Sequence, residues 1–132
     1  MGTYPGVLRP QNEFYDTKCR LYPEAVYYSW RLNDSGYVLD PTDCNGEIQT
    51  YCFGGSDVVS EWLFKNIFRF CAKPTELTRI NEPPVGFGGC NVVAREEKEN
   101  KCVRFELCRD VDVGEELFMD YGLDYDRSRY GR

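Results

Sequence analysis

Two short runs hold the residues best suited to chemistry. Asn81 sits in Thr-Arg-Ile-Asn-Glu-Pro-Pro, residues 78–84, and Tyr121 closes Gly-Glu-Glu-Leu-Phe-Met-Asp-Tyr-Gly, residues 114–122. An asparagine in a proline-bounded turn offers an amide, and a tyrosine between Asp120 and Gly122 offers a phenol. Between the two runs, Cys90 to Ala94 reads as a short apolar strand. Taken in order, these pieces describe a compact site made of a turn, a strand, its hairpin partner and a second turn. Plainer roles stand beside this one, since asparagine side chains stabilise many turns and a buried tyrosine needs only one hydrogen-bond partner.

The residue inventory excludes several chemistries. The 132-residue chain has no histidine, which removes Ser-His and Cys-His dyads and the helical zinc-protease motif. It has no Gly-x-x-x-x-Gly-Lys-Ser/Thr phosphate loop. Gly86-Phe87-Gly88-Gly89 follows Pro83-Pro84 and leads into a strand, the reverse of a dinucleotide-binding turn. Carboxylates cluster at Glu115, Glu116, Asp120, Asp124 and Asp126, but charge near a C-terminus is usually a solvated face and makes no case for a glycosidase pair. The seven cysteines form no Cys-x-x-Cys pair, so no zinc site is expected. Their odd number, without a secretory signal, fits free thiols in a reducing compartment.

The length predicts one domain with a real core. A formal net charge of -6 argues against a nucleic-acid groove and suits approach by a lysine-rich partner. Ten tyrosines and eight phenylalanines serve core packing first, and a channel walled by rings is a second use. No apolar run approaches membrane-spanning length, so no membrane partner is expected.

The elements that would position the two runs are short. Thr3 to Leu8 reads as an edge strand, marked by Pro5, Gly6 and Pro10. Asn12 could cap a helix over Glu13 to Arg20. Ala25 to Leu32 and Tyr37 to Asp40 flank Asn-Asp-Ser-Gly and read as a hairpin, with a further strand over Ile48 to Phe53. From Ser56 or Asp57, apolar residues at Val59, Trp62, Leu63, Ile67, Phe68 and Phe70 have helical spacing. Asn91 to Ala94 and Val103 to Cys108 form a second hairpin across the charged turn Arg95 to Lys101.

Arg79-Ile-Asn-Glu-Pro83, Asn91-Val92, Arg109-Asp-Val-Asp-Val-Gly-Glu-Glu-Leu117 and Asp120-Tyr-Gly122, in that order, make the chain resemble a SET domain. Tyr4-Pro5-Gly6 resembles the family's Tyr-x-Gly strand, and Tyr37-Val-Leu-Asp40 its strand ending in aspartate. The resemblance covers about Thr3 to Gly122. It implies a mostly β fold with short helices (α+β), small twisted sheets and a C-terminal pseudoknot that brings the Asn81 and Tyr121 turns together. It also implies S-adenosylmethionine-dependent protein-lysine N-methyltransferase activity, with a histone tail the first-ranked substrate and the nucleus the first-ranked compartment. A SET-like module that binds a peptide or protein without turnover is the alternative.

Carried over by position, Tyr121 is catalytic. By the same resemblance, Arg79, Ile80, Asn81 and Glu82 are expected to hold the cofactor. Tyr4, Met119 and Tyr125 line the lysine channel. Glu82 departs from the family, which has histidine there, and Met119 stands where many members carry Phe or Tyr. No cysteine cluster follows Gly122, so Leu123 to Tyr130 is expected to close the channel. The family's Gly-x-Gly strand has no counterpart before Met1. The resemblance therefore implies an amino-terminally truncated domain over 1–122 with a tail over 123–132.

Overall fold

Pro5-Gly6 divides the first predicted strand in two. In the computed structural model, which describes residues 1–52 and 73–128, Gly2–Thr3 (β1) and Val7–Pro10 (β2) belong to different sheets. Gly6 has φ +139, and a Cβ there would lie 2.8 Å from the Asp40 carbonyl carbon and 2.9 Å from its nitrogen. Only glycine lets the chain pass so close to another backbone. One predicted edge strand thus becomes two edge strands joined by a kink.

The chain forms small antiparallel sheets with short helical segments, an α+β arrangement. The first sheet runs β1, Cys102–Leu107 (β8), Val92–Glu97 (β7). Its register pairs Gly2 with Phe105 and Val92 with Leu107. The second runs β2, Tyr37–Asp40 (β4), Trp30–Arg31 (β3), pairing Val7 with Asp40 and Trp30 with Leu39. Tyr51–Cys52 (β5) pairs with Lys73–Pro74 (β6). The helix predicted over Val59 to Phe70, with its cap at Ser56 or Asp57, lies outside the described residues.

Period-two burial explains the larger hairpin. Val103 and Phe105 are buried while Arg104 faces out, and the exposed faces carry Arg95–Glu106 and Arg104–Glu97 pairs. Both strands outrun the prediction toward the tip, to Glu97 and Cys102, because these cross-strand charges extend the ladder.

Elsewhere the local structure corrects the expectation. Helical structure begins at Gln11 rather than Glu13, with Pro10 and not Asn12 at the N-cap. It continues through a π turn at Phe14–Lys18 to Cys19–Leu21. Ala25 to Tyr28, predicted as part of a strand, belong to the 3-10 helix Pro23–Tyr28, since Pro23 at its first position presets helical φ. The strand proper is limited to Trp30–Arg31. Of the strand expected over Ile48 to Phe53, Tyr51–Cys52 is formed.

Strand β4 is covered on both faces. Leu39 joins Phe105, Val103, Val92, Ile80 and Met119 in the main core, while Val38 meets Phe14 and Ala25 in a second cluster. Phe105 is fully buried, so truncation to alanine would cost about 3–5 kcal/mol. At the end of β4 the buried Asp40 carboxylate accepts from Arg9 Nε (2.8 Å), Lys18 Nζ (2.5 Å) and Thr42 Oγ1 (2.5 Å). That cluster ties the first helical segment to the second sheet.

Candidate functional site

Phe118 lies between two earlier segments of chain. On one side it forms a parallel bridge with Asn81, where the Met119 amide donates to the Asn81 carbonyl at 2.9 Å. On the other, the amides of Asn91 and Val92 both donate to the Phe118 carbonyl at 3.0 Å. The Asn91 side chain completes the clamp: its Oδ1 accepts from the Phe118 amide at 2.7 Å and its Nδ2 donates to the Glu116 carbonyl at 2.9 Å. Asn91 is buried, so an amide with both a donor and an acceptor is what this position requires.

The clamp delivers Tyr121 to the Ile80 turn. The Tyr121 hydroxyl donates to the Ile80 carbonyl at 2.6 Å, and its amide donates to Glu82 Oε1 at 3.0 Å. Its ring packs on Tyr125 with centroids 4.5 Å apart. Glu82 points back into the protein rather than to solvent, and its carboxylate also receives Arg127 Nε at 2.9 Å and Nη2 at 2.6 Å. The guanidinium in turn donates to the carbonyls of Gly122 (2.7 Å) and Tyr125 (3.1 Å).

A cleft of about 720 Å³ opens beside this turn, lined by Tyr4, Trp30, Ile80, Met119, Tyr121 and Tyr125 among others. Its floor is aromatic. The Tyr4 ring packs 5.5 Å from Trp30 and 5.6 Å from Phe105, and its hydroxyl donates to the Tyr28 carbonyl. Burial first, then the neighbouring Tyr121, push the Tyr4 phenol far above its ordinary pKa, so it stays neutral. Glu96, Asp124 and Asp126 also line the cleft, as does Arg31. Glu96 is oriented by Trp30 Nε1 and the Asn33 amide, each at 3.0 Å.

Five of the predicted site residues therefore meet: Tyr4, Ile80, Met119, Tyr121 and Tyr125 share one cleft. Arg79, Asn81 and Glu82 do not line it. Arg79 is exposed at the end of the 3-10 turn Glu76–Arg79. Asn81 is exposed, and its Nδ2 makes a long 3.4 Å contact with Glu116 Oε1. Trp30, Glu96 and Arg127 escape the sequence reading. Trp30 falls in a run that reads as core, and Glu96 in a turn that reads as a solvated tip. Arg127 stands 45 residues from the carboxylate it binds.

Among the described residues no group of three or more Cys, Asp or Glu is arranged to hold a metal ion. No helix there is long and apolar enough to cross a membrane. Comparison with protein-family models, with curated proteins and with solved structures gave no match.

Proposed function

We propose that the chain is a SET-type protein-lysine N-methyltransferase domain, with S-adenosylmethionine as methyl donor and Tyr121 as the catalytic residue. One observation carries this reading. The Ile80 to Glu82 turn and the Asp120 to Gly122 turn, far apart in sequence, meet where the Tyr121 hydroxyl binds the Ile80 carbonyl on the wall of an aromatic cleft. The holding of residues 116–119 between the Asn81 and Asn91 segments supports the pseudoknot that such a fold requires.

The cleft suits a lysine side chain. Its stem packs on the rings, at about 0.8 kcal/mol for each methylene buried. Glu96, Asp124 and Asp126 attract the ammonium and favour its charged form, so the neutral amine needed for attack forms as the nitrogen leaves them for the rings, where burial disfavours charge. Tyr121 commits its proton to Ile80, so its oxygen acts as an acceptor and orients the amine N–H. A histone tail is the first substrate to test, because a net charge of -6 draws in a basic peptide.

The cofactor, when bound, supplies an electrophilic methyl group on a sulfonium. The turn residues fit its polar end. Asn81 presents an exposed amide whose one side-chain contact among the described residues is 3.4 Å long, and Arg127 offsets the charge of Glu82 that would otherwise repel a carboxylate. Asn81 is thus the side chain to hold the donor, with the backbone of the turn around it.

The rival is a module that binds a peptide without turnover, favoured by an anion at Glu82 where the family has histidine. Calorimetry with S-adenosylmethionine, paired with labelled methyl transfer to histone-tail peptides, separates the two. Binding with transfer is expected. Peptide binding with neither cofactor heat nor transfer would establish the rival.

A further inference from the structure

Gly122 to Asp126 form one wall of the cleft, yet this stretch buries little of itself. Leu123 is fully exposed, and Gly122, Asp124 and Asp126 are exposed as well. A segment with so little buried apolar surface is held by specific bonds rather than by packing. Gly122, at φ +83, turns the chain into the wall, since glycine adopts that conformation without strain. At its end stands Arg127.

The Arg127 guanidinium grips Glu82 with two nitrogens and the wall's own carbonyls, Gly122 and Tyr125, with Nη2 and Nη1. It also lies 5.8 Å from the Tyr125 ring centroid. Glu82 Oε1 holds the Tyr121 amide at the same time. The side chains are 25% and 11% exposed, and the planar fork of arginine matches a carboxylate in a way lysine does not. One ion pair therefore joins the turn that precedes the core strand, the tyrosine at the cleft and the wall beyond it.

We propose that Glu82 and Arg127 are a positioning pair, a clasp that holds the Gly122 to Asp126 wall against the cleft and fixes the rings of Tyr121 and Tyr125. Its effect on turnover rests on the methyltransferase reading, but its effect on the wall does not. Neither residue lines the cleft. The pair sets the shape of the cleft that a substrate side chain enters.

Amide hydrogen exchange on the whole chain tests the clasp without any ligand. In R127M, exchange of the Tyr121 to Arg127 amides should accelerate about tenfold or more, as for local opening of a segment that has lost its tether. The amides of Val92–Glu97 and Cys102–Leu107 should keep their protection. R127K should restore part of it, because charge returns without the fork. If R127M loses protection everywhere, E82Q, which keeps the size and the acceptor, carries the test. Unchanged exchange at Tyr121 to Arg127 in R127M, or in E82Q in that event, would overturn the proposal. In turnover, R127M should raise KM for a lysine peptide about tenfold, with a smaller fall in kcat, the pattern of lost substrate positioning. Faster wall exchange with no methyl transfer even in the parent would support the clasp and count against the methyltransferase reading alone.

Discussion

The Tyr121 hydroxyl and the Ile80 carbonyl, 41 residues apart in sequence, are 2.6 Å apart in space. Tyr121→Phe removes this bond and keeps the ring against Tyr125. The expected result is a stability loss of about 1 kcal/mol, the net worth of one hydrogen bond, with nearly all methyl transfer gone. Thermal melts and a transfer assay check both parts. Unchanged turnover would remove Tyr121 from the reaction.

Asn81→Ala should weaken S-adenosylmethionine binding by about 1–3 kcal/mol if its amide makes a buried hydrogen bond to the cofactor. Stability should barely change, because Asn81 is exposed and its one described side-chain contact is 3.4 Å long. Calorimetry beside a melting curve separates the two effects, and parental affinity would exclude Asn81 from the cofactor site.

Asn91→Ala should behave in the opposite way. It strands the Phe118 amide and the Glu116 carbonyl, at about 2–4 kcal/mol for the two groups together. Chemical denaturation measures it directly, and a loss under about 0.5 kcal/mol would mean that solvent reaches both groups.

The acid limb of stability should depend on Glu115. The Arg109 guanidinium, helped by the Asp112 amide, brings its carboxyl from the ordinary 4.5 down to about 2. Its folded pKa is the lower one, so its contribution is present above pH 4.5 and lost as pH falls toward 2. Glu115→Gln should flatten the fall in Tm across that window, relative to the parent. Parallel curves would show that Glu115 titrates alike in the folded and unfolded chains.

Gly6→Ala should prevent normal folding, because its Cβ would meet the Asp40 backbone at 2.8 Å and no flexible side chain is there to yield. Gly36→Ala, also at positive φ (+73) but with nothing within 4 Å, is the control and should cost only the conformational strain of about 1 kcal/mol. Equal losses in the two variants would refute the close-approach argument.

The large hairpin was legible because Val103 and Phe105 alternate with charged neighbours, and alternation is a local signal. Ala25-Val-Tyr-Tyr misled because a short apolar run serves strand and helix alike, and Pro23 decided in favour of helix. The kink at Gly6 was visible as residue types, while its cause, the backbone of Asp40, was not. Motif order brought five site residues to one cleft, since it reflects which segments must meet. The bond between Glu82 and Arg127 had no such trace. Nothing in the spacing of a charged tail tells which of its arginines returns to a carboxylate 45 residues earlier.

The holding of Phe118 between two earlier segments also dictates an order of assembly. Its partner Asn91 adjoins the β7–β8 hairpin, which can form without it, whereas the Asn81 turn and residues 116–121 depend on each other. Contacts across 27 and 41 residues carry a larger loop-closure cost than the local hairpin of β7 and β8, which favours late formation. The stretch that carries Tyr121 should therefore acquire its structure after the β7–β8 hairpin. In pulse-labelled refolding, the Phe118 and Tyr121 amides should gain protection after those of Val93 and Glu106, which face each other across the hairpin. On a ribosome, the cleft would not exist until Arg127 had left the exit tunnel.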